Sequence, residues 1–228
     1  AERQEIIVAF KGYQPGDVVT LYSDDTPLVR FRIHEFKEDD AQLPETLFTT
    51  PNPTPTAGLP VHKVTLDGCD EYVAMNGKKF KMDRIDYEMD EGAVQIWDIE
   101  NTNHKPGMIH PYHMHGCAFT VLSRDGHAPE VNELGLKDTV VVNPGEHVRI
   151  KVWFNVAGVF MYHCHIIEHE DGGMMAQIKV NDPDDPAKTY QLMDHHTLMK
   201  AFAEERGVSM DQLWLGGMAA YEKTGECM

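Results

Sequence analysis

Residues 163–174 read His-Cys-His-Ile-Ile-Glu-His-Glu-Asp-Gly-Gly-Met, and Cys164, His169 and Met174 fall in this stretch at two equal four-residue gaps. A thiolate, imidazoles and a weakly bound thioether are the donors of a blue-copper centre, whose His₂Cys set with a long axial methionine carries single electrons. One imidazole is then still to be found. The segment His110-Pro-Tyr-His-Met-His-Gly116, about fifty residues upstream, offers three.

The histidines that flank Cys164 add a second message. Gly158-Val-Phe-Met-Tyr162 leads into the motif as a buried strand would, and strand side chains alternate between faces. His163 and His165 are therefore expected on one face and Cys164 on the other. One strand then serves two metal sites separated by roughly 10 Å, the scale of face-to-face sheet packing. His113 and His115 share a face by the same i, i+2 rule, with His110 set behind Pro111. A structural zinc site also uses histidine and cysteine, but it calls for neither a methionine at this spacing nor donors on both faces of one strand.

Such sites need a rigid frame, and sustained alternation supplies one from Val61 onward. Segments 64–66, 72–75, 94–99, 119–122, 139–142 and 148–154 read as strands. In the last of these Val148, Ile150, Val152 and Phe154 share one face, against Arg149, Lys151 and Trp153 on the other. Met75-Asn-Gly77 and Asn143-Pro-Gly-Glu146 are turn signals between strands. Met75 and Met161 fall in strand patterns and are expected to fill gaps in the core. The expected architecture is all-β, an antiparallel Greek-key β-sandwich of about six to eight short strands over residues 61–181, with the ligands gathered at one end.

Upstream, segments 5–10, 18–22 and 28–33 read as three further strands, the first two separated by the turn Gln14-Pro-Gly-Asp17. Three strands without a partner sheet cannot bury both faces. Residues 36–60 contain Pro44, Pro51, Pro53, Pro55 and Pro60 and read as an extended connector. Residues 182–228 read as a short helical tail. Asp182-Pro-Asp-Asp-Pro186 ends the last strand, Asp194 to Arg206 has helical spacing closed by Gly207, and Ser209-Met-Asp-Gln212 is a capping-box pattern.

The segments HPYHMHG, residues 110–116, and HCHIIEHEDGGMM, residues 163–175, resemble the two carboxy-terminal copper motifs of the multicopper oxidases, the family of laccases, bilirubin oxidases and bacterial cuprous oxidases. From about Val61 to Val180 the chain is similar to that family's third cupredoxin domain. Residue by residue, the resemblance implies that His110, Cys164, His169 and Met174 bind type 1 copper. It implies that His113 binds type 2 copper, and that His115, His163 and His165 bind the type 3 pair of a trinuclear cluster. It makes His169 the point of electron entry and Glu170 the carboxylate that relays protons. The implied reaction is one-electron oxidation of phenols, aromatic amines or low-valent metal ions, coupled to reduction of O₂ to water.

The chain departs from the family in one respect. The family's cluster takes eight histidines in four His-X-His units. Two such units occur here, and His34, His62, His104, His127, His147, His195 and His196 form no other. A homo-oligomer does not mend the deficit, because every copy lacks the same half. The chain is therefore expected to be the carboxy-terminal piece of a longer oxidase whose amino-terminal cupredoxin domains are its partner, with residues 1–35 as the closing strands of a preceding, truncated cupredoxin domain. The alternative is an electron-transfer or copper-binding cupredoxin with type 1 copper alone. Such a carrier has no use for His113, His115, His163 and His165.

Composition narrows the partners. A net charge of −17 over 228 residues disfavours nucleic acid and anionic membrane surfaces and is compatible with cationic donors such as metal ions. No apolar run approaches the roughly eighteen residues of a membrane span. Residues 1–7 lack the apolar core of a signal peptide, while the resemblance implies an extracytoplasmic setting. Cys69, Cys117, Cys164 and Cys227 give no disulfide framework, and Cys117 reads as a small buried residue rather than a ligand.

Overall fold

The computed structural model describes residues 2–4, 6–35, 37, 40–42, 45, 55–69, 72–185 and 195–209, without the side chains of 195–199 and 202. The chain divides into two units, residues 3–49 and residues 1–2 with 50–228.

In the smaller unit β1 (Val18–Ser23) and β2 (Thr26–Arg32) form an antiparallel hairpin. Its loop is Asp24-Asp25, with Asp24 at a φ of 48°, the left-handed conformation that tight hairpin turns require. The turn before β1 forms as the residues predict, with the Asp17 N–H donating to the Gln14 carbonyl at 3.0 Å. The strand expected over residues 5–10 is corrected. Among the described residues, 6–10 form no strand, and β1 and β2 pair only with each other. Alternation by itself does not make a strand, since the ladder needs a partner. Ile6 and Ile7 are exposed, while the Phe10 ring packs 5.1 Å from that of Phe31.

The larger unit is a β-sandwich. Its strands are β3 (Val61–Cys69), β4 (Tyr72–Met75), β5 (Tyr87–Asp90), β6 (Val94–Asn101), β7 (His110–Met114), β8 (Ala118–Arg124), β9 (Thr139–Val142), β10 (His147–Trp153), β11 (Gly158–Cys164) and β12 (Met175–Asn181). One sheet runs β4-β3-β6-β10-β8 and the other β5-β12-β11-β7-β9. Two features differ from expectation. There are more strands than the alternation suggests, and the sandwich is not wholly antiparallel, because β3 runs parallel to β6 and β5 parallel to β12. Tyr87-Glu-Met-Asp90 is too short and polar to announce itself locally, and its partner lies about ninety residues away.

Alternation along β10 holds: Val148, Ile150 and Val152 are buried, while Arg149 and Trp153 face outward. The core centres on Trp97, which packs edge-on to Tyr162 at 5.2 Å and donates its indole N–H to Gln95 Oε1 at 3.1 Å. Each large side chain buried in this way contributes roughly 1.5–3 kcal/mol. Met75 is part of the core, whereas Met161 is only half-buried.

The helix α1 (Ile167–Asp171) connects β11 to β12, and α2 (His195–Arg206) follows β12. Gly207, at a φ of 64°, closes α2. Asp194, residues 210–212 of the capping-box pattern, Cys227 and most of the connector at 36–60 lie outside the described residues. Among the described residues no helix is long and apolar enough to cross a membrane.

Candidate metal centre

β7 and β11 lie side by side, with His113 paired to His163, Tyr112 to Cys164 and Met114 to Tyr162. One further hydrogen bond on each side extends the ladder: the His115 N–H donates to the Met161 carbonyl at 2.9 Å and the His165 N–H to the Pro111 carbonyl at 2.7 Å. Directly opposed residues in a ladder point to the same face. The pairing therefore collects four histidines on one side, with ring centroids 4.7 Å apart for His113 and His115, 5.4 Å for His113 and His163, and 5.5 Å for His163 and His165. The Nε2 atoms of His115 and His163 approach to 3.0 Å.

The opposite face holds the thiol. Cys164 Sγ lies 3.5 Å from His110 Nδ1 and 3.7 Å from His169 Nδ1, and the two nitrogens are 3.2 Å apart. All three residues are buried. His169 arrives on the single turn of α1, whose N–H groups at His169 and Gly172 donate to the Ile166 and Glu168 carbonyls. The chain then returns to its start: the Met174 N–H donates to the His169 carbonyl at 2.9 Å and the Cys164 N–H to the Met174 carbonyl at 3.1 Å. Met174 is fully buried there.

Hydrogen bonds at the far side of each ring decide which nitrogen is free. A carbonyl oxygen only accepts, so the ring nitrogen facing it carries the proton. His110 Nε2 faces the Gly68 carbonyl at 3.2 Å, which leaves Nδ1 as a lone pair beside the thiol. His113 Nδ1 faces the Asp138 carbonyl at 2.9 Å, with Thr139 Oγ1 also at 2.9 Å. His163 Nδ1 faces the Cys164 carbonyl at 3.0 Å and Glu170 Oε2 at 3.2 Å. The thiol side thus offers Nδ1 atoms, and His113 and His163 offer Nε2.

Burial, and after it the neighbouring His169, pushes His110 down to about 4, so its ring is a neutral donor at neutral pH. Burial likewise lowers His113 and His115. Burial pushes the Cys164 thiol up to about 11. A thiol held that high becomes a thiolate only when a cation sits at its sulfur, and a coordinating thiol is deprotonated outright. Two imidazoles, that of His110 held neutral by burial, and a soft sulfur converging in a buried pocket fit copper.

The donor atoms of His110, Cys164 and His169 lie within 4.8 Å of one another, and so do those of His113, His115 and His163. His165 is not part of that group of donor atoms, although its ring centroid lies 5.6 Å from that of His113 and 5.5 Å from that of His163. Glu170 is half-buried, one imidazole removed from the His115–His163 contact. Cys117 packs against the core, and burial pushes its thiol up to about 12. Gly116 follows His115 at a φ of 68°, where a Cβ would collide with the Phe160 ring. Sequence reasoning missed Gly68, Asp138 and Thr139. Spacing gives no sign of them, because each reaches a histidine twenty-five or more residues away.

The sequence profile of the multicopper oxidases matches residues 49–184. A multicopper oxidase of Staphylococcus aureus is 48% identical over 119 residues, covering 52% of this chain and 27% of that protein. A laccase of Haloferax volcanii is 32% identical over 231 residues, covering 92% of this chain and 39% of that protein. The crystal structure of a multi-copper oxidase from Pediococcus acidilactici superposes with a TM-score of 0.75 at 49% identity, over 82% of this chain and 39% of its own. This chain therefore spans about two fifths or less of the length of these relatives. With its all-β sandwich and its paired copper-type donor sets, the chain belongs to the multicopper oxidase family.

Proposed function

We propose that this chain is the carboxy-terminal part of an oxidase that takes electrons one at a time from a small donor and reduces O₂ to water. What supports the reading is the single strand β11, which carries a buried thiol beside two imidazoles on one face and His163 of a second cluster on the other. In this reading His110, Cys164 and His169, with Met174 as axial thioether, hold type 1 copper. His113 holds type 2 copper, and His115, His163 and His165 belong to the type 3 pair. Copper bound there supplies one-electron oxidation of the donor and four-electron reduction of O₂.

The chain's own residues do the rest. Buried Tyr112 and Tyr162 line the core side of β7 and β11 and exclude water from the thiol. His169, although buried, keeps about 7% of its surface exposed, and in this reading it is the point of electron entry. Glu170, with its carboxylate 3.2 Å from His163 Nδ1, relays protons towards the histidine face, where O₂ reduction consumes them. The donors are phenols, aromatic amines or low-valent metal ions, and the net charge of −17 draws cations among them. The remaining histidines come from amino-terminal cupredoxin domains of the same gene product, in an extracytoplasmic setting. A plain electron carrier is the weaker reading, because it leaves the His113 face without a task.

Copper analysis combined with an oxygen electrode tests this. The 228-residue chain alone should hold type 1 copper firmly, show intense blue absorption and consume little O₂. Adding the amino-terminal domains should restore O₂ uptake with a phenolic donor. Firm binding of about four copper ions by this chain alone, the full family complement, would contradict the division of the cluster.

A further inference from the structure

The far nitrogen of His110 is anchored on β3. Its Nε2–H donates to the Gly68 carbonyl at 3.2 Å, and the same oxygen accepts a second hydrogen bond from Asn103 Nδ2 at 3.3 Å. Asn103 is held in turn: its Oδ1 accepts from the Lys105 N–H at 2.8 Å, and its N–H donates to Asn101 Oδ1 at 3.0 Å. Fully buried Asn101 gives its two amide hydrogens to the Met108 carbonyl at 2.9 Å and the Val142 carbonyl at 3.2 Å. Met108 precedes His110 by two residues, and Val142 is the β9 partner of His110. Thr102 Oγ1 completes the group on the Leu66 carbonyl at 3.1 Å and Asp67 Oδ1 at 3.0 Å. Asn101-Thr102-Asn103 thus ties the strand that carries Gly68 to the segment that carries His110.

Gly68 itself leaves no latitude. Its φ is +85°, and a Cβ would collide with the Tyr72 carbonyl oxygen, so the direction of its own carbonyl is set by the backbone. Asn103 is the adjustable member. A second donor on one carbonyl competes for its lone-pair density and weakens what it accepts from the imidazole. Partners at a ligand's far nitrogen set the ring's orientation and its basicity. An imidazole that gives up less of its proton is a poorer donor to the oxidised metal.

We propose that Asn103 is a positioning residue of the thiol-side copper site: through the Gly68 carbonyl it fixes the His110 ring and limits the electron density at Nδ1, which raises the reduction potential. The proposal rests on reading His110, Cys164 and His169 as a type 1 site. Asn103→Ala removes the donor without adding charge. Asn103→Asp keeps the acceptor that the Lys105 N–H needs and loses the donor to Gly68, which separates this hydrogen bond from the turn.

The experiment is a mediator titration of the blue band in the copper-loaded protein, paired with nitrogen-edited NMR of the His110 ring in the copper-free protein. Both variants should shift the equilibrium with a one-electron mediator several-fold towards the oxidised site. Both should move the Nε2 proton resonance downfield, as Gly68 becomes a freer acceptor, and Asn103→Ser, which retains a hydroxyl donor, should recover part of each change. If both variants lower only the melting temperature, with potential and ring resonance unchanged, Asn103 belongs to the frame of the loop alone and the proposal is overturned. If the unsubstituted copper-loaded protein has no blue band, the type 1 reading fails, while the copper-free resonance still decides whether Asn103 governs the His110 hydrogen bond.

Discussion

The pocket around Cys164 and the histidine face on the other side of β11 begin one residue apart, yet they differ in finish. His110, Cys164 and His169 are all buried and come from three segments closed over by the core, whereas His113 and His115 remain half-exposed. Alternation lets one strand own two sites. The inward donors are all buried, whereas on the outward face His163 is buried and His113 and His115 are not. The outward site stays partly open, in keeping with the proposal that another part of a longer protein completes it.

The sharpest way to break this comparison is Cys164→Ser. In the protein that includes the amino-terminal domains, the blue absorption should vanish while copper on the histidine face persists, as visible spectra and metal analysis would show. A surviving band would refute the assignment of the thiol.

A smaller effect separates the two faces by stability. Trp97→Ala opens a cavity beneath Tyr162 and should cost about 3–5 kcal/mol in urea unfolding of the copper-free protein. His115→Ala, on the half-exposed face, should stay within about 0.5 kcal/mol in the same assay. Equal losses would mean that both faces are part of one core.

The weakest lever is acid. The Arg124 guanidinium pairs with Glu133 at 2.5 and 2.8 Å and with Glu146 at 2.8 Å. The Glu146 carbonyl accepts the Asn101 N–H at 3.0 Å, so this group braces the frame of the thiol pocket. Burial by itself would raise the Glu133 carboxyl, but hydrogen bonds from Arg124 and the Glu130 N–H outweigh it and hold the group below its ordinary value. A carboxyl depressed in the folded state lends stability above its unfolded pKa and loses it as pH falls through the folded one. The melting temperature should therefore decline on acidification below the ordinary carboxylate range. Glu133→Gln should flatten that decline, and an unaltered profile would remove Glu133 from the frame.

Much of the frame was legible from local pattern. β10 could be read because its apolar residues alternate without interruption, and the turn at Asn76-Gly77 because both residues accept a positive φ. β5 was not legible, since four residues are too few for their alternation to stand out and the partner that makes them a strand is β12. Residues 6–10 show the converse, an apolar run that no strand takes up among the described residues. Gly68 and Asn103 escaped notice because their hydrogen bond crosses 35 residues and the one to His110 crosses 42.

Order along the chain settles the kind of donor and, once a strand forms, the face on which each donor lies, because the two-residue period of a strand is a property of its own backbone. Spacing alone left three upstream histidines as partners for Cys164. The fold decided among them: β7 runs against β11 in a register that turns His113 and His115 outward, while His110, at the start of β7, reaches the thiol together with the turn of α1. Register, burial and the choice between Nδ1 and Nε2 depend on which segments lie next to one another, and no local period encodes that.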